Sequence, residues 1–140
     1  MTEKYKILAK YIKDLSSETP DIETYLFVKD KISKYKLNID IKSKPLKNKL
    51  IEINISFVFK DKEPNEKKSY YEIIYAVIVR IESEVNDKKD LEKIILCEIP
   101  SAVYPDIEKA FLSLIHHSGH PGLKFEKKVD FYKLFSEKIN

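Results

Sequence analysis

Apolar and polar residues alternate one by one along two stretches in the first half of the chain. In the first, Tyr35, Leu37, Ile39 and Ile41 fall on one side, and Lys36, Asn38 and Asp40 on the other. In the second, Ile51, Ile53, Ile55, Phe57 and Phe59 oppose Glu52, Asn54 and Ser56. A period of two marks half-buried strands. Pro45 and Asn48 predict a turn between them, and 61–68, with Pro64 and Asn65, predicts a polar hairpin loop. Ser69 to Glu82 carries Tyr, Ile and Val on both sides, which predicts a longer strand with more than one burial environment. Three strands joined by short turns make an antiparallel meander.

Beyond Asn86-Asp87 the period becomes helical. Asp90 to Leu96 and Asp106 to His117 read as two helices. The second carries Ile107, Ala110, Phe111, Leu114 and Ile115 on one stripe and is stopped by Gly119 and Pro121. Asp130 fits the N-cap of a last short helix that buries Phe131, Leu134 and Phe135. The opening segment reads two ways: Ile7, Leu8, Tyr11, Ile12 and Leu15 fit a helical stripe, while Tyr5, Ile7, Ala9 and Tyr11 form one face of a strand. Residues 21–31 hold Ile22, Tyr25, Leu26, Phe27 and Val28 with no period. A loop this apolar either packs on its own domain or offers a binding surface. Strands first and helices last is the α+β order, and 140 residues predict one domain spanning 1–140.

Composition narrows the function classes. Apolar residues at 43% suffice for a core, and charged residues at 35% alternate in sign to a net +3. Arg80 is the one arginine. Scarcity of the side chain that reads phosphate and guanine bidentately argues against a nucleic-acid partner. Two glycines leave no phosphate-cradling loop. Cys97 stands alone, so no internal disulfide forms. With no signal peptide at the start and no window near the ~20 apolar residues of a membrane span, a cytoplasmic protein without membrane insertion is expected.

Candidate chemistry is thin. His116, His117 and His120 invite a zinc site. However, adjacent histidines diverge by roughly 100° on a helix, no zincin Glu lies between them, and Cys97 has no second cysteine to assist. They read instead as a helix C-terminus that favours the helix dipole. Ser16-Ser17, Ser69 and Ser101 lack a nucleophile elbow. The acidic pairs Asp14/Glu18 and Glu82/Glu84 sit among lysines, where no strong pKa shift is expected. No catalytic residue, metal or cofactor is assigned. The excess lies in nine Tyr and seven Phe, side chains suited to apolar recognition.

The order of motifs resembles the SecB protein-export chaperones. Tyr11-Ile12-Lys13-Asp14-Leu15-Ser16-Ser17-Glu18-Thr19-Pro20 is similar to the family's first-strand signature, with Ser17 where the family has an aromatic. Val103-Tyr104-Pro105 resembles its Phe-Pro helix start. Pro121-x-Leu123 and Val129-Asp130-Phe131-x-x-Leu134-Phe135 resemble its closing motifs, with Lys128 in place of a proline. The resemblance spans about Tyr5 to Ile139.

The resemblance implies that the opening segment is a strand. It implies a four-stranded antiparallel sheet followed by C-terminal helices, assembled as a homotetramer, a dimer of dimers with the helices between. The implied activity is that of an ATP-independent holdase that binds unfolded preproteins in apolar grooves and passes them to the SecA motor. By position, the client groove falls on Ile22, Tyr25, Phe27, Tyr35, Leu37, Ile39, Phe131 and Phe135. The SecA contact falls on Asp14 and Glu18; a later acidic pair falls near Glu72 and Ile74, where Ile74 lacks the charge. Within the same fold, the alternative is a chaperone dedicated to one partner, such as an antitoxin. An enzyme built on the histidine cluster is the reading from another class.

Overall fold

Two central strands organise the chain. β3 (Leu50–Lys60) and β4 (Tyr70–Ile81) pair antiparallel, β2 (Lys36–Pro45) flanks β3, and β1 (Tyr5–Glu18) flanks β4, giving the order β1-β4-β3-β2. The computed structural model describes residues 4–82, 85, 87–125 and 128–139, with side chains as far as Ser136; Glu84 and Asn86 lie outside the described residues.

The alternation sets the register. Phe59 lies opposite both Leu37 and Tyr71, and Phe57 opposite both Ile39 and Ile73, so the apolar positions of three strands share one face. The β2–β3 turn places Asn48 and Lys49 at φ 63 and 64, with Leu50 N–H donating to Lys47 C=O at 3.3 Å. Two consecutive left-handed residues match the twist of a hairpin, and Asn is one of the few side chains that takes that conformation readily.

β1 is a strand, as the resemblance implies, and its register explains the helical look of its sequence. Shifts between Ile7 and Ala9 and between Ile12 and Asp14 each interrupt the pairing with β4. The residues opposite the buried face of β4 are therefore Ile7, Lys10, Ile12, Leu15 and Ser17, spaced by three and two in turn. Bulges break the period of two, so Ile7, Ile12 and Leu15 no longer alternate as in a regular strand and also fit one side of a helix.

From β1 the chain crosses the sheet to its far edge. Residues 21–31, which carry no period, form a short helix there, α1 (Ile22–Lys29). Asp21 caps it by accepting from Thr24 N–H at 2.8 Å. Only Thr24 and Val28 of this helix are buried, so its burial stripe is too narrow to leave a pattern. A 3-10 turn (Ile32–Lys34) then delivers Tyr35 to the core.

The two separate helices expected after residue 86 are instead one run. α2 (Lys88–Lys93) passes through a π-helical stretch (Ile94–Glu98) into α3 (Ile99–His117), so Val103-Tyr104-Pro105 lies inside a helix rather than at its start. Magnitudes explain this. A proline within a helix costs roughly 3 kcal/mol. Ile99, Val103, Ile107, Phe111 and Ile115 continue through it at four-residue spacing and are all buried, each contributing about 1.5–3 kcal/mol. Pro105 and Ser101 both face solvent, where the unpaired carbonyl meets water. Phe111 packs edge-on against Phe57 with centroids 6.0 Å apart, fixing α3 to the sheet.

α4 (Phe131–Ile139) closes the described chain, capped by Asp130 as expected: its Oδ1 accepts from Lys133 N–H at 3.2 Å. Phe131 is buried and Phe135 half-buried, but Leu134 is 40% exposed. Three residues on from Phe131, Leu134 is rotated to the flank of the buried stripe.

Candidate functional site

α3 ends in a Schellman motif. His120 N–H donates to Ile115 C=O at 3.3 Å, and Gly119 N–H to His116 C=O at 3.2 Å, with Gly119 at φ 105. This turn sends the chain back beneath the crossover, and Tyr25 of α1 donates its phenol to Gly119 C=O at 2.9 Å. Between the crossover and residues 119–125 lies a cavity of about 960 Å³.

Its walls come from three segments distant in sequence. The crossover supplies Tyr25, Ile32 and Tyr35; the sheet supplies Leu37 and Phe59; the returning loop supplies His120, Pro121, Leu123 and Phe125. Phe125 meets Phe59 edge-on at 5.6 Å and stacks on Phe111 at 6.2 Å, which holds the loop against the sheet. Lys29, Asp30, Lys36 and Lys124 form the charged rim. Tyr35 is buried, and its hydroxyl accepts from Ser69 N–H at 3.0 Å; burial pushes its phenol pKa up. It supports the wall more than it offers surface.

The residues expected to bind clients divide into three groups. Tyr25, Tyr35 and Leu37 line the cavity. Ile39 continues the face of Leu37 along β2, Ile22 is 61% exposed on α1, and Phe27 carries the Lys31 ammonium 4.5 Å over its ring. Phe131 is only 1% exposed, packed against Tyr104 at 5.9 Å, with Phe135 one turn along α4; neither lines the cavity. His120 and Phe125 were not among the expected residues. Their sequence signal was the helix stop at Gly119, which fixes where the chain returns.

Asp14 and Glu18 lie on the opposite face of the sheet. Asp14 pairs with Ile74, Ser16 with Glu72, and Glu18 with Tyr70, so Asp14, Glu18 and Glu72 gather around Tyr70. Burial first, then Glu72, Glu18 and Asp14, push the Tyr70 phenol pKa up. Ser16 donates to Asp14 at 2.9 Å, and Lys13 bridges to Glu52 at 2.6 Å farther along the same face.

The three histidines separate. His116 Nε2 lies 2.7 Å from Leu123 C=O, and His117 Nδ1 2.7 Å from Ser113 C=O, while His120 is buried. Among the described residues no three of His, Cys, Asp and Glu gather to hold a metal, and no helix is long and apolar enough to cross a membrane.

A four-stranded antiparallel sheet followed by helices, with a cavity on one face and an acidic cluster on the other, defines an α+β domain. The chain belongs to the SecB family, the preprotein translocase subunit SecB, whose model matches residues 1–140; it is a non-enzymatic family of protein-export chaperones. A Pelagibacter ubique protein provisionally named protein-export protein SecB is 56% identical over the full length of both chains. The protein-export protein SecB of Mesorhizobium japonicum is 26% identical over 95% of this chain and 78% of its own. Among solved structures, a SecB-like chaperone of Mycobacterium tuberculosis in complex with a ChAD peptide from an antitoxin shares the fold. It superposes with a TM-score of 0.67 at 14% identity, covering 90% of this chain and 88% of that one.

Proposed function

We propose that the chain is an ATP-independent holdase that keeps unfolded preproteins export-competent in the cytoplasm. The observation that supports it is the cavity of about 960 Å³, with Leu37, Phe59, Leu123 and Phe125 among its walls and charges at its rim, in a member of this family. An extended apolar segment laid there buries area at roughly 25 cal/mol per Å². Such contacts discriminate little between sequences. Tyr25 and Leu37 offer the cavity surface over Tyr35; Ile22, Phe27 and Ile39 extend it along the crossover and β2, and half-buried Phe135 carries the α4 end, with Phe131 buried as its support.

The working form in this reading is a homotetramer, a dimer of dimers. β1 suits a subunit contact: it is a free sheet edge whose Leu8, Tyr11, Ile12 and Leu15 are each 43–45% exposed. An edge strand this apolar is a liability unless another chain covers it. Several cavities on one particle engage one client at once and raise avidity without a tight single site.

The test is aggregation of a reduced, unfolded preprotein followed by light scattering without nucleotide, on protein whose mass is measured alongside. Suppression at near-stoichiometric ratio by a particle about four times the chain mass, with no affinity for the native preprotein, is expected. Failure to suppress any diverse client would sink the general holdase and shift the reading to a chaperone dedicated to one partner, such as an antitoxin.

Delivery to the SecA motor is assigned to the acidic face, on Asp14 and Glu18 with Glu72 beside them. Asp14→Lys combined with Glu18→Lys should weaken motor binding at least tenfold, because like charges then oppose at the contact. Client binding should stay unchanged. Equal affinity of the double variant and the parent for the motor would remove these residues from the contact.

A further inference from the structure

The mouth of the cavity carries an excess of one charge. Lys29 in the last turn of α1, Lys36 at the start of β2 and Lys124 on the returning loop all line it, against one carboxylate, Asp30. All four side chains are exposed. The chain as a whole has 26 basic residues and 23 acidic ones, so three lysines to one aspartate does not repeat its composition. Among the described residues the three lysines stand in no ion pair, whereas Lys4, Lys10 and Lys13 each hold a carboxylate elsewhere. Farther along the crossover, Lys31 places another ammonium 4.5 Å over the Phe27 ring.

Walls and mouth therefore select differently. Leu37, Phe59, Leu123 and Phe125 recognise area, which every apolar segment offers. The residues that flank such a segment leave the cavity through the mouth, past three ammoniums on long flexible stems. A flanking carboxylate is attracted there, and a flanking lysine or arginine is repelled. We propose that the lysine rim makes the cavity choose among unfolded clients, favouring apolar segments flanked by Asp and Glu over those flanked by Lys and Arg. The rim groups are hydrated, so each pair adds only a factor of about two to five. The preference is therefore graded and weakens with salt. That suits a holdase, which must release what it holds.

This inference rests on the holdase reading, and the experiment separates the two. The probes are fluorescein-labelled peptides that share a nine-residue core of Leu, Phe and Ser. Each end carries two Glu, two Ser or two Lys, and binding is followed by anisotropy. In 0.1 M salt the Glu-flanked peptide should bind roughly tenfold more tightly than the Lys-flanked one, with the Ser-flanked peptide between them. At 1 M salt, where the screening length is about 3 Å, the ratio should fall below about threefold. The triple variant Lys29→Gln, Lys36→Gln, Lys124→Gln should reduce the ratio similarly in 0.1 M salt. Its melting temperature should hold, because these exposed side chains have no partner to lose. Lys42→Gln, Lys44→Gln, Lys47→Gln removes the same charge from exposed positions, starting about 20 Å along β2 from Lys36. That is beyond the screening length of about 10 Å at 0.1 M, so this variant should keep the full ratio. Equal affinity of the wild type for the Glu- and Lys-flanked peptides overturns the rim and leaves the holdase standing. So does an equal fall of the ratio in the two triple variants, which would trace it to net charge. No binding of any of the three peptides by the wild type overturns the holdase reading and the rim with it.

Discussion

Leu37→Glu should weaken binding of an unfolded preprotein by at least tenfold while lowering the melting temperature by only a few degrees. Leu37 is half-buried on β2, pairs with Phe59 and lines the cavity. In the free protein a carboxylate there can turn to water at the open sheet edge, so folding loses little. A bound client would cover it, and burying an unpaired carboxylate costs several kcal/mol. The neighbouring residue should behave in the opposite way. Tyr35→Ser removes a buried ring that contacts Phe59 at 5.6 Å and leaves Ser69 N–H without its acceptor. The void and the orphaned donor together cost about 3–5 kcal/mol, so any loss of binding by that variant reports unfolding as well as recognition. Anisotropy titrations beside calorimetric melts distinguish the two. Wild-type affinity in a well-folded Leu37→Glu variant would mean that clients sit elsewhere.

What the sequence reveals about the fold depends on how regular each element is. β2, β3 and β4 pair without register shifts, so their alternation maps directly onto a buried and an open face. β1 contains two shifts, and its apolar positions mimic a helix; only the motif order identifies it. The long helix is interrupted on paper by Pro100 and Pro105, yet its buried stripe outweighs them. The site is harder still. Tyr25, Tyr35 and Leu37 are reached through the family resemblance. His120, Leu123 and Phe125 join them because a helix-stop turn folds the chain back across almost a hundred residues of sequence separation. Periodicity is a local signal and carries no information about such a closure. The acidic face was legible as single residues, while its convergence on Tyr70 appears only once β1 and β4 are in register.

That helix-stop turn carries a second large effect, on stability. Gly119→Ala should destabilise the protein by about 2–4 kcal/mol, from backbone strain and a steric clash acting together. The backbone at Gly119 has φ 105, which an L side chain rarely adopts. A methyl group added there would stand 2.4 Å from Cε1 of Tyr25, whose phenol is held in place by its bond to Gly119 C=O. The ring cannot move aside without giving up that bond and its contact with His120, at 5.6 Å between centroids. Gly122 is the internal control. It sits in the same loop with open space where a methyl group would go, so Gly122→Ala should change stability by less than about 0.5 kcal/mol. Urea unfolding of the two variants makes the comparison directly. Adding Tyr25→Ala to each splits the mechanism: it should relieve part of the Gly119→Ala cost, a coupling of about 1 kcal/mol or more, and show none with Gly122→Ala. The strain at φ 105 would remain in the Gly119→Ala, Tyr25→Ala pair. Because Tyr25 ties α1 to this loop, Gly119→Ala should also loosen the crossover wall of the cavity and weaken client binding where the protein is still folded. Equal stability of Gly119→Ala and Gly122→Ala would mean that the chain does not turn back through a left-handed residue, and the cavity would lose the wall that this turn supplies.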